Sequence, residues 1–314
     1  MINKKIVSVL GGNGFLGKYL VNELLAKGYY VKVISRTATA SKAYLPTFRL
    51  GQYKLINCDI KNIKKIENQL IGTNYVINLI GLLVNKKNNS FEDVHNLSLK
   101  HLVELCNKLG VHKLIHVSAI GAEKDSKSNY AKTKYDGEEN IKKFKNHCVI
   151  RPSIIYGDED NFINLFAKMA KMSPFLPLIG GGKNLFQPIW VQDVAKIITN
   201  IMEKKIIGKT LDVGGDNIYS FKQILEMILN EIDIKRKFIV LPYSISKKIG
   251  FLLENLPLAL LTRDQVEMLK KDNIITKKND YRKIIKYTPH QFKQVIKKQL
   301  RYMKKIVPLV EKCA

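Results

Sequence analysis

Ile6-Val7-Ser8-Val9-Leu10 runs directly into Gly11-Gly12-Asn13-Gly14-Phe15-Leu16-Gly17, and the reading of this stretch decides the fold. The first five residues form a short apolar run with β-branched content, the pattern of a strand. The next seven fit both Gly-x-x-Gly-x-x-Gly (11, 14, 17) and Gly-x-Gly-x-x-Gly (12, 14, 17). Glycine serves there because the backbone must turn tightly and approach a pyrophosphate with no Cβ in the way. Apolar spacing from Phe15 to Lys27 predicts a helix next, and its N-terminus offers N–H groups and a positive dipole end to phosphates. Strand, glycine turn and helix together point to dinucleotide binding. The contact residues are then Gly11, Gly12, Asn13, Gly14, Phe15, Leu16 and Gly17.

Outward from this unit the alternation continues. Tyr30–Ser35, Tyr53–Asn57, Tyr75–Leu79, Lys113–Val117 and Cys148–Arg151 read as strands, and Asn62–Leu70, Phe91–Leu109 and Tyr130–Phe144 carry helical spacing. A βαβ series of this kind predicts an α/β protein with a doubly wound parallel sheet covered by helices on both faces. After Tyr156 the rhythm changes. Pro174, Pro177 and Gly180-Gly181-Gly182 punctuate a loop, and capping boxes announce helices at Ser220 with Gln223 and at Thr262 with Gln265. The expected organisation is a nucleotide-binding domain over 1–156, a smaller and mostly helical C-terminal lobe over 157–276, and a basic amphipathic tail over 277–314.

At 314 residues the chain is long enough to build a full core without staples. Cys58, Cys106, Cys148 and Cys313 are far apart, which argues against a disulfide scaffold or a thiolate zinc site and for a reducing compartment. The six histidines show no metal spacing. No apolar run is long enough for a membrane-spanning helix, and the few residues before the first strand are too short for a signal peptide.

Fifty-three basic residues against 27 acidic ones leave a net charge of +26. Only seven of the basic residues are Arg, so the bidentate contacts of a nucleic-acid reader are not expected. Two readings remain: the Lys, Ile and Asn bias of an AT-rich genome, or an anionic membrane or acidic partner. The tail from Lys277 carries twelve Lys and Arg against Asp280 and Glu311. Within it Thr288, Pro289 and Gln291 read as a helix cap, and Phe292, Val295, Ile296, Leu300, Met303 and Val307 form one apolar stripe among lysines. Such a stripe either lies on an anionic bilayer or packs onto the helical lobe with its lysines in water.

The choice of dinucleotide turns on the end of the second strand, where an acidic residue would bind the adenosine ribose. The sequence there is Ser35-Arg36-Thr37, with no Asp or Glu between Glu23 and Asp59. Arg36 cannot accept a hydrogen bond from a 2′-hydroxyl, but its guanidinium suits a 2′-phosphate. NADP(H) is therefore favoured over NAD(H).

Taken in order, these motifs resemble the short-chain dehydrogenase/reductase superfamily, in its extended or atypical branch. The glycine loop matches the family's own, Cys58-Asp59-Ile60 matches its acidic dipeptide near the adenine, and Asn78-Leu79-Ile80-Gly81 matches the segment running under the cofactor. Tyr130-Ala131-Lys132-Thr133-Lys134, followed by Asp136-Gly137-Glu138, matches its Tyr-x-x-x-Lys and trailing Gly-Glu. Arg151-Pro152, Tyr156-Gly157 and Gln187-Pro188-Ile189 with Val191, Asp193 and Val194 match later landmarks. The resemblance implies a Rossmann sheet, with Asp59, Ile60, Leu79, Ile80, Gly81, Tyr130 and Lys134 joining Arg36 at the cofactor.

Tyr130 and Lys134 are also the catalytic pair that the resemblance implies. A lysine four residues along a helix lies on the same face as the tyrosine, and its cation favours the phenolate. The third catalytic group frays. Val117-Ser118-Ala119-Ile120 leaves Ser118 as a lone hydroxyl where a carbonyl-polarising donor is expected, and a lost donor costs about a hundredfold in rate.

Asp160-Asn161-Phe162, the segment Ser173–Gly182 and Leu261–Val266 are similar to a narrower group, the NADPH-binding accessory subunits of respiratory complex I (NADH:ubiquinone oxidoreductase) and their bacterial relatives. That resemblance implies a structural cofactor, complex I subunits as partners, and a place in the bacterial cytoplasm or matrix, peripheral on the inner membrane. Within this oxidoreductase superfamily the alternative is a free-standing NADP(H)-dependent reductase, epimerase or dehydratase. It would act on a sugar nucleotide, isoprenoid or quinone-like substrate through Tyr130 and Lys134.

Overall fold

The computed structural model describes residues 5–40, 51–85, 90–254 and 261–304. Two compact units divide the chain, and each is interrupted by the other. The first gathers the chain up to Pro152 with Gln192–Val213 and Thr276–Tyr287, and the second gathers Ser153–Val191, Gly214–Ile275 and the chain from Thr288.

In the first unit the elements are β1 (Ile6–Leu10), α1 (Phe15–Ala26), β2 (Tyr30–Ser35), β3 (Tyr53–Asn57), α2 (Ile63–Leu70) and β4 (Tyr75–Asn78). They continue with α3 (Ser98–Lys108), β5 (Lys113–Val117), α4 (Asn129–Lys142) and β6 (His147–Pro152). The second unit supplies β7 (Ile155–Tyr156), α5 (Ile163–Met172), β8 (Phe175–Ile179), β9 (Leu185–Phe186) and β10 (Ile189–Trp190). The chain then returns to the first unit through α6 (Val191–Glu203) and β11 (Lys209–Val213). The last elements of the second unit are β12 (Tyr219–Ser220), α7 (Phe221–Ile232), β13 (Lys237–Leu241), α8 (Tyr243–Leu253), α9 (Arg263–Met268) and α10 (Phe292–Lys304).

The central sheet has seven strands in the order β11-β6-β5-β4-β1-β2-β3, every pair parallel. This is the expected doubly wound α/β Rossmann sheet. Every residue of β5 is buried, as a strand covered on both faces requires. The order reverses at β1: β2 and β3 build one way and β4 returns to the other side, so the carboxyl ends of β1 and β4 border the switch-point crevice where α/β sheets bind ligands.

Contiguous blocks of 1–156, 157–276 and 277–314 do not describe this arrangement. Residues 192–213 return to the first unit because β11 hydrogen-bonds along β6 and completes the sheet. Residues 276–287 return because the buried Asp212 carboxylate accepts from the Thr276 N–H at 3.1 Å, and the Tyr287 hydroxyl donates to Asp193 at 2.6 Å. Within the second unit short strand pairs, β7 with β10, β8 with β13 and β9 with β12, punctuate a mostly helical body. The capping boxes at Ser220 and Thr262 form as read.

The tail differs from expectation at its start. The helix begins at Phe292, not directly after Thr288. Asp216 supplies the capping oxygen instead, accepting from the Phe292 N–H at 3.2 Å. Phe292, Ile296 and Leu300 are buried in one cluster with Phe221, Ile224 and Ile228 of α7, while Val295 and Met303 are half-buried against it. The stripe therefore packs onto its own unit, and its described residues leave no apolar face for a bilayer. Val307 lies outside the described residues.

Trp190 is the sole tryptophan and lies in this same unit, its ring centroid 4.7 Å from that of His290. Leu300→Ala should lower stability by about 2–5 kcal/mol, as large-to-small core changes do. Urea denaturation followed by Trp190 fluorescence should show the midpoint move to lower urea. An unchanged midpoint would mean that α10 contributes nothing to this core.

Candidate functional site

The turn between β1 and α1 is held by close backbone approach. Gly11 has a φ of +79°, and its N–H donates to the Ile34 carbonyl at 2.8 Å. At Gly17 a Cβ would stand 2.4 Å from the Gly11 carbonyl oxygen, a distance no side chain tolerates. Gly12 packs against Val33, where a Cβ would come within 3.0 Å. Gly14 is the N-cap of α1 and has no side chain to accept the first helical N–H groups, while its carbonyl accepts from Lys18. The N–H groups of Phe15, Leu16 and Gly17 thus belong to an uncapped helix end, which is the electrostatic requirement for a phosphate site.

Around this turn the sheet's carboxyl end is stitched together. Asn13 donates from Nδ2 to the carbonyl of Thr37 at 3.0 Å and to its hydroxyl at 3.1 Å, which ties the glycine turn to the loop carrying Arg36. Arg36 is exposed at the end of β2. Ser35 accepts from the Cys58 N–H at 2.8 Å, which brings the end of β3 alongside. Asp59 follows, its carboxylate accepting from the Lys61 N–H at 2.9 Å, and Ile60 beside it is buried. Beyond β4, Leu79 donates to the Leu10 carbonyl and Ile80 sits under Gly11, within 3.2 Å of where a Cβ would be. Gly81 comes next to Lys134: a Cβ there would lie 3.5 Å from Nζ. The structure therefore brings the sequence-predicted residues to one end of one sheet, Arg36 and Asp59 on the β2–β3 side and Gly81, Tyr130 and Lys134 on the β4–β5 side.

Lys134 is the electrostatic centre of the second side. It is 3% exposed and donates to the Val117 carbonyl at 3.0 Å. Burial pulls its pKa from the ordinary lysine value down to about 8, against an opposing pull from Glu138. Glu138 is fully buried and holds Arg151 through two hydrogen bonds of 2.8 and 2.6 Å. Burial opposes the Arg151 charge, but these bonds outweigh it and keep its pKa above the ordinary value. Tyr130 packs edge-on against Phe91 and His95, with ring centroids 5.8 and 5.5 Å away. Ser118 is buried, and its Oγ has no partner among the described residues.

Sequence reasoning missed two histidines here. His116 lies on β5 opposite Asn78, whose Nδ2 donates to Nδ1 at 3.1 Å. The proton is then on Nε2, which is buried and unpartnered among the described residues, and burial holds the ring well below the ordinary histidine pKa. His95 lies in a wide π-turn over Asp93–Leu97 that interrupts the continuous helix expected from Phe91 to Leu109. The extra residue in that turn rotates His95 inward. The neighbouring Asn96 is instead bonded to Glu92 and Asn140. Gly137 is explained by the same contact, since a Cβ there would lie 2.0 Å from the His95 carbonyl oxygen. Among the described residues no cluster of His, Cys, Asp and Glu could hold a metal ion.

The described geometry agrees with comparisons to known proteins. The chain is 30% identical over 302 residues to the mitochondrial NADH dehydrogenase (ubiquinone) 1 alpha subcomplex subunit 9 of Arabidopsis thaliana, covering 92% of this chain and 75% of that protein. It is 32% identical over 277 residues to the protein of the same name from Mus musculus, covering 86% and 73%. The fold is similar to that of a dTDP-glucose 4,6-dehydratase from Bacillus anthracis solved in complex with NAD, with a TM-score of 0.74 at 18% identity over 96% of this chain and 97% of that one. The pattern of the NAD dependent epimerase/dehydratase family matches residues 7–214, which span the glycine turn, the Tyr130–Lys134 helix and all of the central sheet but Ile6, and the chain belongs to that family.

Proposed function

We propose that this protein binds NADP(H) across the switch point of its sheet and holds it as a structural cofactor, as an accessory subunit of NADH:ubiquinone oxidoreductase. The observation that carries the nucleotide reading is the side-chain-free turn at Gly11–Gly17, which leaves an uncapped helix end at the crevice. Arg36, exposed at the end of β2 where no carboxylate stands, favours a 2′-phosphate and hence NADP(H). Lys134 and Gly81 would meet the ribose at the other end, and the ligand, when bound, would supply a transferable hydride. The assembly reading is supported by relatives that are themselves subunits of this enzyme. It places the chain on the matrix or cytoplasmic face of the inner membrane. Among the described residues no helix is long and apolar enough to cross a membrane. Affinity isolation from the native source, with analysis of bound nucleotide, tests both halves: complex I subunits and NADP(H) should be recovered together.

A second reading, a free-standing reductase, epimerase or dehydratase, is favoured by the Tyr130–Lys134 pair. A lysine cation four positions along the same helix is what a proton-transferring tyrosine requires beside it. The lone Ser118, followed by Ala119 and Ile120, weighs against rapid carbonyl chemistry. Tyr130→Phe separates the two. With a structural cofactor the variant retains NADPH and loses no turnover, whereas turnover of a sugar nucleotide or quinone abolished by it would establish the enzyme.

Arg36→Asp should shift the ratio of NADPH to NADH affinity by about tenfold or more, the worth of a charged hydrogen bond. Equal calorimetric titrations of both nucleotides into the parent protein would remove Arg36 from the site. The pH dependence should follow Lys134. Its cation is present below about pH 8 and lost above. NADPH affinity should therefore hold between pH 7 and 7.5 and fall from pH 8 to 9.5, and Lys134→Met should bind weakly with no such step. His95 and His116 stay neutral throughout this range and do not contribute.

A further inference from the structure

We infer that His95 is a positioning residue that fixes the nicotinamide-side wall of the nucleotide site by locking the Gly81–Leu82 segment to the first turn of α4. The inference rests on the nucleotide-binding reading above and names a residue to which neither the family match nor the sequence motifs assign a role.

The hydrogen bonds of the ring determine its chemistry. The Leu82 N–H is an obligate donor and lies 2.9 Å from His95 Nε2, so Nε2 accepts. The ring proton is therefore on Nδ1, which donates to the Thr133 hydroxyl at 3.2 Å. That hydroxyl in turn donates to the carbonyls of Asn129 and Tyr130, at 2.9 and 3.2 Å. One imidazole thus joins the strand-end segment after β4, the π-turn and the start of the helix that carries Tyr130 and Lys134. Its faces are also occupied: Phe91 stacks on it with centroids 5.4 Å apart, and Tyr130 meets it edge-on. Burial, together with the Lys134 charge, holds its pKa down to about 3, so the ring stays neutral and neither bond is lost on titration. With both nitrogens committed, His95 has no lone pair or proton left for acid–base work.

What it controls is the distance between two residues that would flank the ligand. Gly81, one residue before the anchored Leu82, approaches both Lys134 Nζ and His95 Nε2, with 3.5 and 3.8 Å separating them from a Cβ at that position. Releasing Leu82 would leave a backbone N–H without its acceptor and free this wall to move relative to Lys134. The β2–β3 side, with Arg36 and Asp59, shares no hydrogen bond with His95 and would be unaffected.

Calorimetric titration of the full-length protein with NADPH and with adenosine 2′,5′-bisphosphate, which presents only the adenosine half, tests this directly. His95→Phe keeps an aromatic ring and removes both bonds; NADPH affinity should fall about tenfold or more, and bisphosphate affinity should stay within about twofold of the parent. His95→Gln carries an acceptor to about the position of Nε2 and should recover most of the NADPH affinity. His95→Asn reaches Thr133 but not Leu82 and should behave like the Phe variant, which keeps the comparison available should His95→Phe not fold. Equal weakening of both ligands, or a Gln variant no better than Asn, would overturn the positioning role while leaving the nucleotide reading intact. A parent protein that binds neither ligand would overturn both.

Discussion

The absence of a side chain at Gly17 is the constraint on which the site depends. The first turn of α1 lies so close to the end of β1 that a single methyl group would strike the Gly11 carbonyl. The uncapped start of α1 is therefore held against the carboxyl end of β1. The position of the phosphate-binding dipole follows from this one close contact.

The other end of the crevice is organised by the cost of burying charge. Lys134 is almost completely enclosed, and the groups nearest it are a backbone carbonyl and two neutral imidazoles. The carboxylate pulling on it, Glu138, is engaged by Arg151 through a bidentate pair. The lysine is therefore poorly compensated, and its pKa falls toward neutrality. The anionic ligand proposed above would offset part of that desolvation.

Much of this was legible in the sequence, because strand and helix periodicity and the glycine spacing are local signals. The first six strands fall within a residue or so of the runs of β-branched and apolar residues, and the glycine turn, Arg36, Asp59, Gly81, Tyr130 and Lys134 all arrive at one end of one sheet. What was illegible depends on contacts between distant residues. The π-turn at Asp93–Leu97 has the composition of ordinary helix, and only the packing of His95 against Gly137 and Leu82 shows why the extra residue is there. Asp216 caps α10 from more than seventy positions away, a relation that no local pattern contains. The amphipathic tail was ambiguous for a related reason: a basic apolar stripe has the same sequence whether it faces lipid or α7, and the burial of Phe292, Ile296 and Leu300 decides between them.

Holding a nucleotide and turning it over place different demands on this site. The proposed binding rests on the bare turn, the Arg36 guanidinium and the Lys134 ammonium. Turnover needs in addition a donor aimed at a substrate carbonyl, and the loop after β5 offers Ser118 alone, with Ala119 and Ile120 in the following positions. Ser118 Oγ is buried, has no partner among the described residues and comes from a loop whose backbone is pinned, its N–H donating to Ile150 at 2.7 Å. That hydroxyl can turn about χ1 with the strand-end pairing between β5 and β6 left intact. The groups proposed for binding thus come from several elements of the sheet's carboxyl end, whereas the proposed carbonyl donor comes down to one hydroxyl on one loop.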